Sequence, residues 1–245
     1  MKYIHITFLL FFIGCSSSLP DESLPLADHL KIGMDFLDQG KFVKAQDEFK
    51  FILSRGTGTD YGDDAQFFLA EAYFLNEQYM LSIQEYENLT RKMAFSPFFE
   101  KARFRICEAY RIESPNYYND QSYTEKALER YREFLDDFPE SEHSRTVSES
   151  MRVLRNKLAK KLYETGILYM KMDEFEPARM SFNQVLDLYY DTDIIERVHY
   201  EVIRSYLKQG NDKKARSHWI NKGKDSIKQE KLVLELTEVF SQKEL

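Results

Sequence analysis

The side chains best suited to chemistry in this 245-residue sequence are two cysteines and five histidines, and their spacing decides what they can do. A zinc centre or a catalytic group needs such residues at short offsets, so that several donors converge. His5, His29, His143, His199 and His218 show no such spacing with Cys15, Cys107 or the carboxylates. They read as surface or packing residues. Two cysteines cannot build a disulfide framework. Neither a Gly-rich phosphate loop nor a nucleophile elbow occurs. The expectation is therefore a non-enzyme with no catalytic residue, no metal and no cofactor.

Cys15 differs from the rest because of what precedes it. Lys2 is followed by an apolar run from Tyr3 to Ile13, broken only by His5 and Thr7. That run is too short to cross about 30 Å of hydrocarbon as a helix, but it suits a secretory signal. It ends in Phe12-Ile13-Gly14-Cys15-Ser16, which resembles the lipobox of bacterial lipoproteins. The resemblance implies a cysteine thioether-linked to diacylglycerol and left, after cleavage, as an acylated N-terminus. Phe12 and Ile13 depart from the common form, which has Leu and Ala or Ser there. Residues 1–14 are thus read as signal peptide. Residues 15–25, with four serines and two prolines, are read as a flexible tether.

Over the full sequence, 43% hydrophobic and 15% aromatic content exclude a disordered chain, and 31% charged residues exclude a polytopic membrane protein. Only 9 Gly and 6 Pro disfavour an all-β chain. A formal net charge of −7 argues against a general nucleic-acid binder.

One spacing then recurs five times: a small residue, an aromatic three later, a small residue nine further on, and an aromatic four after that. Gly33, Phe36, Ala45 and Phe49 follow it, as do Ala70, Tyr73, Ser82 and Tyr86. So do Gly166, Tyr169, Ala178 and Phe182, and also Ile203, Tyr206, Ala215 and Trp219, although Ile203 is not small. Cys107, Tyr110, Ala127 and Tyr131 fit once eight extra residues are allowed between the halves. Residues three or four apart share a helical face, so each half is a short amphipathic helix. Small residues let antiparallel helices approach, and the aromatics fill the space beside them. The pattern resembles the tetratricopeptide repeat, and it predicts an all-α solenoid of about five helix-turn-helix repeats.

Between Cys107 and Gly166 the interval is 59 rather than 37, and the segment from Ser141 to Met172 holds no Pro and a single Gly. Val147, Met151, Leu154, Leu158, Leu162 and Ile167 lie near helical spacing there, which predicts one long helix joining two sub-arrays. The expected division is residues 26–140 for repeats one to three and 141–222 for the connecting helix with repeats four and five. Residues 223–245 then form a capping helix or tail.

The ordered combination of lipobox, elongated third repeat and connecting helix resembles the BamD family of outer membrane protein assembly factors. Its most specific stretch runs from Tyr131 through Phe134-Leu-Asp-Asp-Phe-Pro-Glu-Ser141 to Arg155-Asn-Lys-Leu-Ala-Lys160. The resemblance implies a lipid-anchored scaffold on the periplasmic face of the outer membrane. Its C-terminal repeats would dock a BamA-like barrel insertase, and its N-terminal repeats would receive the targeting strands of unfolded outer-membrane proteins. The loop Arg55–Tyr61 lacks the Tyr-Pro turn common in that family, so no substrate contact is carried over to it. For the insertase, Arg179 and Asn183 on one helix and Arg197 and Arg204 on the next are the expected contacts. The other reading is an exported repeat lipoprotein that scaffolds envelope, division or pilus assembly.

Charge is uneven. Residues 15–142 carry 25 acids and 14 Lys or Arg, whereas residues 143–245 carry 16 acids and 19 bases. Arg145, Arg152, Arg155, Lys157, Lys160 and Lys161 crowd the connecting helix, as either a solvated face or an electrostatic guide for a partner. Tyr117, Tyr118 and Tyr123 in the inserted loop either pack on their own repeat or meet a partner.

Overall fold

The computed structural model describes residues 20–242. Cys15, His5 and the signal and tether boundaries before residue 20 lie outside them. The described residues are helical throughout, with no strand. Five antiparallel pairs follow one another: α1 (Leu26–Asp38) with α2 (Phe42–Ser54), then α3 (Gly62–Leu75) with α4 (Tyr79–Lys92). Next come α5 (Phe99–Glu113) with α6 (Ser122–Asp137), and α7 (Ser144–Lys171) with α8 (Phe175–Leu188). The fifth pair is α9 (Ile195–Lys208) with α10 (Asp212–His218). A π turn (Trp219–Gly223) and a short α11 (Lys224–Ser226) continue it, and α12 (Glu230–Gln242) ends the described chain. This is the tetratricopeptide-repeat solenoid expected from the spacing. One compact unit ends at Phe99 and the next begins at Glu100.

The turns inside the pairs share one design. Gly40, Glu77, Asp173 and Gly210 have φ of +69°, +58°, +59° and +76°, each seven residues after the first small position of its repeat. A left-handed residue just past a helix lets the following N–H reach back to the last turn, as in the Schellman motif. Lys41, Gln78, Glu174 and Asn211 donate their backbone N–H to the carbonyls of Phe36, Tyr73, Tyr169 and Tyr206, at 2.8, 2.9, 3.0 and 2.8 Å. The first aromatic of each of these repeats therefore also accepts the bond that closes the turn. The third repeat has no such residue, and its inserted loop replaces the turn.

Packing across each pair takes two forms. In repeats one and four the small residue is glycine and the closing aromatic is phenylalanine. A Cβ on Gly33 would lie 2.5 Å from Phe49 Cε1, and one on Gly166 would lie 2.3 Å from Phe182 Cε1. Both rings are fully buried, each contributing on the order of 1.5–3 kcal/mol. In repeats two and three the small residue is followed by a glutamate and the closing aromatic is tyrosine. Tyr86 Oη donates to Glu71 Oε1 at 2.5 Å, and Tyr131 Oη donates to Glu108 Oε1. Arg111 completes the second pair through Nη2 to Glu108 Oε2 at 2.7 Å. Burial by itself would raise the Glu108 pKa, but Arg111 and Tyr131 outweigh it and hold the carboxyl below its usual value.

Ala45, Ala70, Ser82, Ala127, Ala178 and Ala215 are fully buried between helices, and Cys107, Tyr73 and Tyr110 are buried beside them. Phe36, Tyr169, Tyr206 and Trp219 are half-buried. In the fifth repeat Ile203 stands at the small position, fully buried in a cluster with Ala215, Tyr200, Leu236 and Phe240. Helix α12 thus closes the apolar face of the last repeat. Glu196 Oε2 accepts the backbone N–H groups of Lys228 and Gln229, fixing the entry to α12.

Candidate functional site

The residues with chemical potential are committed to packing. Cys107 is 1% exposed, its Sγ donates to the Arg103 carbonyl at 3.2 Å, and burial pushes its thiol up to about 12. Such a thiol is not a nucleophile at neutral pH. His29 is fully buried, with Nδ1 donating to Glu48 Oε2 at 2.5 Å and its ring against Phe51. His143 stacks on Phe104 at 4.0 Å. His199 Nδ1 lies 3.0 Å from His218 Nε2, and burial lowers both pKa values, His218 to about 4. Among the described residues no three His, Cys, Asp or Glu side chains are grouped to hold a metal.

Surfaces able to meet a partner remain. The four positions on α8 and α9 divide in two. Arg179 is half-buried, its guanidinium 4.4 Å from the Tyr206 ring and its Nη1 donating to Ser205 Oγ at 3.3 Å. Arg204 donates from Nη1 to both Glu201 carboxylate oxygens, at 2.8 and 3.0 Å. Burial raises the pKa of Glu201, and Arg204 opposes the rise. Arg179 therefore ties α8 to α9, whereas Arg204 is held by a partner one turn away on its own helix. Asn183 and Arg197 are exposed.

The basic residues of α7 do a task that neither sequence reading contained. Arg155 donates from Nη2 to Asp191 Oδ1 at 2.5 Å and to the Leu188 carbonyl at 2.9 Å, and it holds the Asp191 carboxyl below its usual range. Arg152 pairs with Asp193 at 3.3 Å, and Asn156 Oδ1 accepts the Asp193 N–H at 2.9 Å. One turn on, Lys157 Nζ donates to Ser114 Oγ at 2.7 Å and Lys161 Nζ donates to the Asn119 carbonyl at 2.7 Å. Lys160 Nζ stands 4.3 Å from the Tyr117 ring centre. Helix α7 thus clamps the inserted loop on one side and the α8–α9 turn on the other. The loop has its own buried hub: Gln121 Nε2 donates to the carbonyls of Asn116 and Asn119, and its Oε1 accepts from Thr124. Tyr123 is half-buried beside Tyr110 of its own repeat and Tyr117 is half-buried beside Lys160 of α7, whereas Tyr118 is 67% exposed.

In the N-terminal unit the loop after α2 folds onto the start of α3. A Cβ on Gly62 would lie 2.2 Å from the Thr57 carbonyl oxygen, so only glycine permits that approach. Ser96 Oγ donates to Asp63 Oδ2 at 3.0 Å and ties this loop to the one after α4. The two loops line a recess of about 380 Å³ that includes Thr57, Gly58, Arg91, Lys92, Met93 and Phe95. Phe95 is fully exposed at its edge. The recess thus exposes two cationic side chains and an aromatic ring.

Known proteins resemble the chain over most of its length. It is 25% identical over 214 residues to the outer membrane protein assembly factor BamD of Rickettsia prowazekii (strain Madrid E), covering 84% of this chain and 82% of that one. It is 22% identical over 210 residues to the factor of the same name from Caulobacter vibrioides, covering 83% and 68%. Among solved structures, the tetratricopeptide-repeat protein TTC0263 of Thermus thermophilus aligns over 87% of this chain and 98% of its own, at 17% identity and a TM-score of 0.38. Residues 26–220, which contain all five repeats, match the family model YfiO, described as outer membrane lipoprotein, and the chain belongs to that family.

Proposed function

We propose that this protein is a non-enzymatic scaffold of a β-barrel assembly machinery. It is anchored through lipidated Cys15 at the periplasmic face of the outer membrane. There it joins a BamA-like barrel insertase to unfolded outer-membrane substrates. The observation that carries the reading is the match of all five repeats to an outer membrane lipoprotein family whose relatives bear the name of an assembly factor. The repeats divide the work. Repeats four and five, from 141 to 222, present Asn183 and Arg197 to the insertase, while Arg179 keeps α8 and α9 in register. Repeats one to three, from 26 to 140, take the targeting strand, and the recess beside Phe95 is its first contact.

Co-purification of the insertase with the native lipoprotein tests the reading. Asn183→Glu with Arg197→Glu should lower recovery of the insertase while the helical signal stays unchanged, because both side chains are exposed. Reversing a charge at an interface typically costs about 2–5 kcal/mol when the pair is desolvated. Phe95→Glu with Arg91→Glu should leave the insertase bound and weaken capture of a targeting peptide. Cys15→Ser should release the protein from membranes. An insertase that never co-purifies with the native protein would overturn the reading.

A further inference from the structure

Arg152, Arg155, Lys157, Lys160 and Lys161 of α7 have partners within the fold, but the basic groups of α10 and its extension form no ion pair among the described residues. From Lys208 to Lys231 the chain carries eight Lys or Arg and three acids, in a protein whose formal net charge is −7. Lys213, Lys214, Arg216, Lys222, Lys224 and Lys228 are all exposed, and none forms an ion pair among the described residues. Separated by residues rather than by loops, some of these groups converge. Lys214, Ser217, His218, Asn221 and Lys222 fall at i, i+3, i+4, i+7 and i+8, which is one face of the continuous α10 and π turn. With Tyr206 of α9 they line a recess of about 210 Å³.

No carboxylate lines that recess. Two ammonium groups face it, and Asn221 Nδ2 donates to Ser217 Oγ at 3.2 Å, which leaves the Ser217 hydroxyl proton for another acceptor. Donors with positive charge and no competing acid select an oxyanion, and two lysines with a hydroxyl suit a phosphate.

We propose that this recess binds a phosphate oxyanion, presented by the headgroup of an anionic phospholipid. The lipid source is favoured by what surrounds the recess. Lys224 and Lys228 follow the recess in the chain as two further exposed cations, more positive charge than a single soluble phosphate could use. Clustered basic residues suit the surface of an anionic bilayer. The recess shares no residue with Asn183 and Arg197, so its function and the proposed insertase contact could fail independently.

The test uses the full lipoprotein in neutral detergent micelles. It is titrated with inorganic phosphate, with dihexanoyl phosphatidylglycerol and with a hexaglutamate peptide, by calorimetry and by the His218 imidazole resonance. Phosphate and phosphatidylglycerol should both saturate and move the His218 signal. Lys214→Gln with Lys222→Gln should weaken both by about tenfold or more, with an unchanged helical signal, while Lys228→Gln outside the recess should change the inorganic phosphate affinity less than about threefold. Binding of inorganic phosphate without phosphatidylglycerol would overturn the lipid source. Equal binding by the hexaglutamate peptide, or full retention of phosphate by the double variant, would overturn the phosphate site itself.

Discussion

Repeats one and four and repeats two and three reach the same helix spacing by different chemistry. In the first set a phenylalanine ring lies directly over a glycine Cα: Phe49 over Gly33 and Phe182 over Gly166. In the second set the ring carries a hydroxyl, and a glutamate on the facing helix accepts it: Tyr86 with Glu71 and Tyr131 with Glu108. The two positions are therefore chosen together. A ring pressed against backbone needs the missing Cβ, whereas a buried carboxylate needs a donor. A small-then-aromatic spacing specifies a distance between helices, and the neighbouring residue specifies how that distance is held.

The sharpest way to break the comparison is to put a side chain under a ring. Gly166→Leu should destabilise the protein by about 3 kcal/mol or more, since Phe182 cannot move without leaving the core. Gly166→Ala is the more telling variant. Alanine gains about 1 kcal/mol of helix propensity over glycine, yet the Cβ overlap should make the net change unfavourable in urea unfolding. A stabilised Gly166→Ala would show that the ring gives way and that the two sets pack alike.

A smaller loss is expected where the hydroxyl holds the pair. Tyr131→Phe keeps the ring and should cost about 1–2 kcal/mol, because Glu108 keeps Arg111 but loses one donor. The Glu108 carboxyl should then titrate at higher pH, readable by NMR, and an unmoved titration would remove the Tyr131 bond from the account.

Next in size is a gain. Asp173 holds a left-handed conformation that costs an L-residue about 1–2 kcal/mol, partly offset by the extra freedom glycine has when unfolded. Asp173→Gly should therefore raise the melting temperature modestly, whereas Gly40→Ala at the matching turn should lower it.

The fifth repeat uses neither device and carries instead the His199–His218 pair, so it should respond to acid first. Burial, with the neighbouring His199 and Lys222, holds His218 at about 4, while an unfolded histidine titrates near 6.5. Between those values the unfolded state binds the proton and the folded state does not. Stability should fall as pH drops from about 6.5 towards 4, and His218→Gln should flatten that slope in thermal melts.

Much of this architecture is legible in the chain because it is local. The aromatic offsets mark both helices of every repeat, and the segments Asp38–Gly40 and Gln209–Asn211 announce their turns with glycine. The turns at Glu77 and Asp173 carry no such sign, since a charged residue in the left-handed region is held there by the Schellman bonds around it. The basic run on α7 was legible as charge but not as a clamp. Its acceptors Ser114, Asn119, Asp191 and Asp193 lie between 36 and 43 residues away, beyond any helical period. For the same reason Arg179 and Arg204 read as surface groups in sequence. Tyr206 and Ser205 meet Arg179 only once α8 and α9 pack, whereas Glu201 lies one turn from Arg204, and its burial is what sequence could not supply. The π turn at Trp219–Gly223 is invisible too, because one extra residue in a helix leaves no mark on a short pattern.

Cys107 turns the middle of the molecule into a clock. Its thiol is sealed between α5 and α6 and holds its proton up to about 12, so an alkylating reagent at neutral pH reacts only during the moments when that pair separates. At high reagent concentration the labelling rate becomes the opening rate of the third repeat itself. Any partner that steadies the third repeat would then be read as a slowing of that rate, with no probe introduced anywhere in the chain.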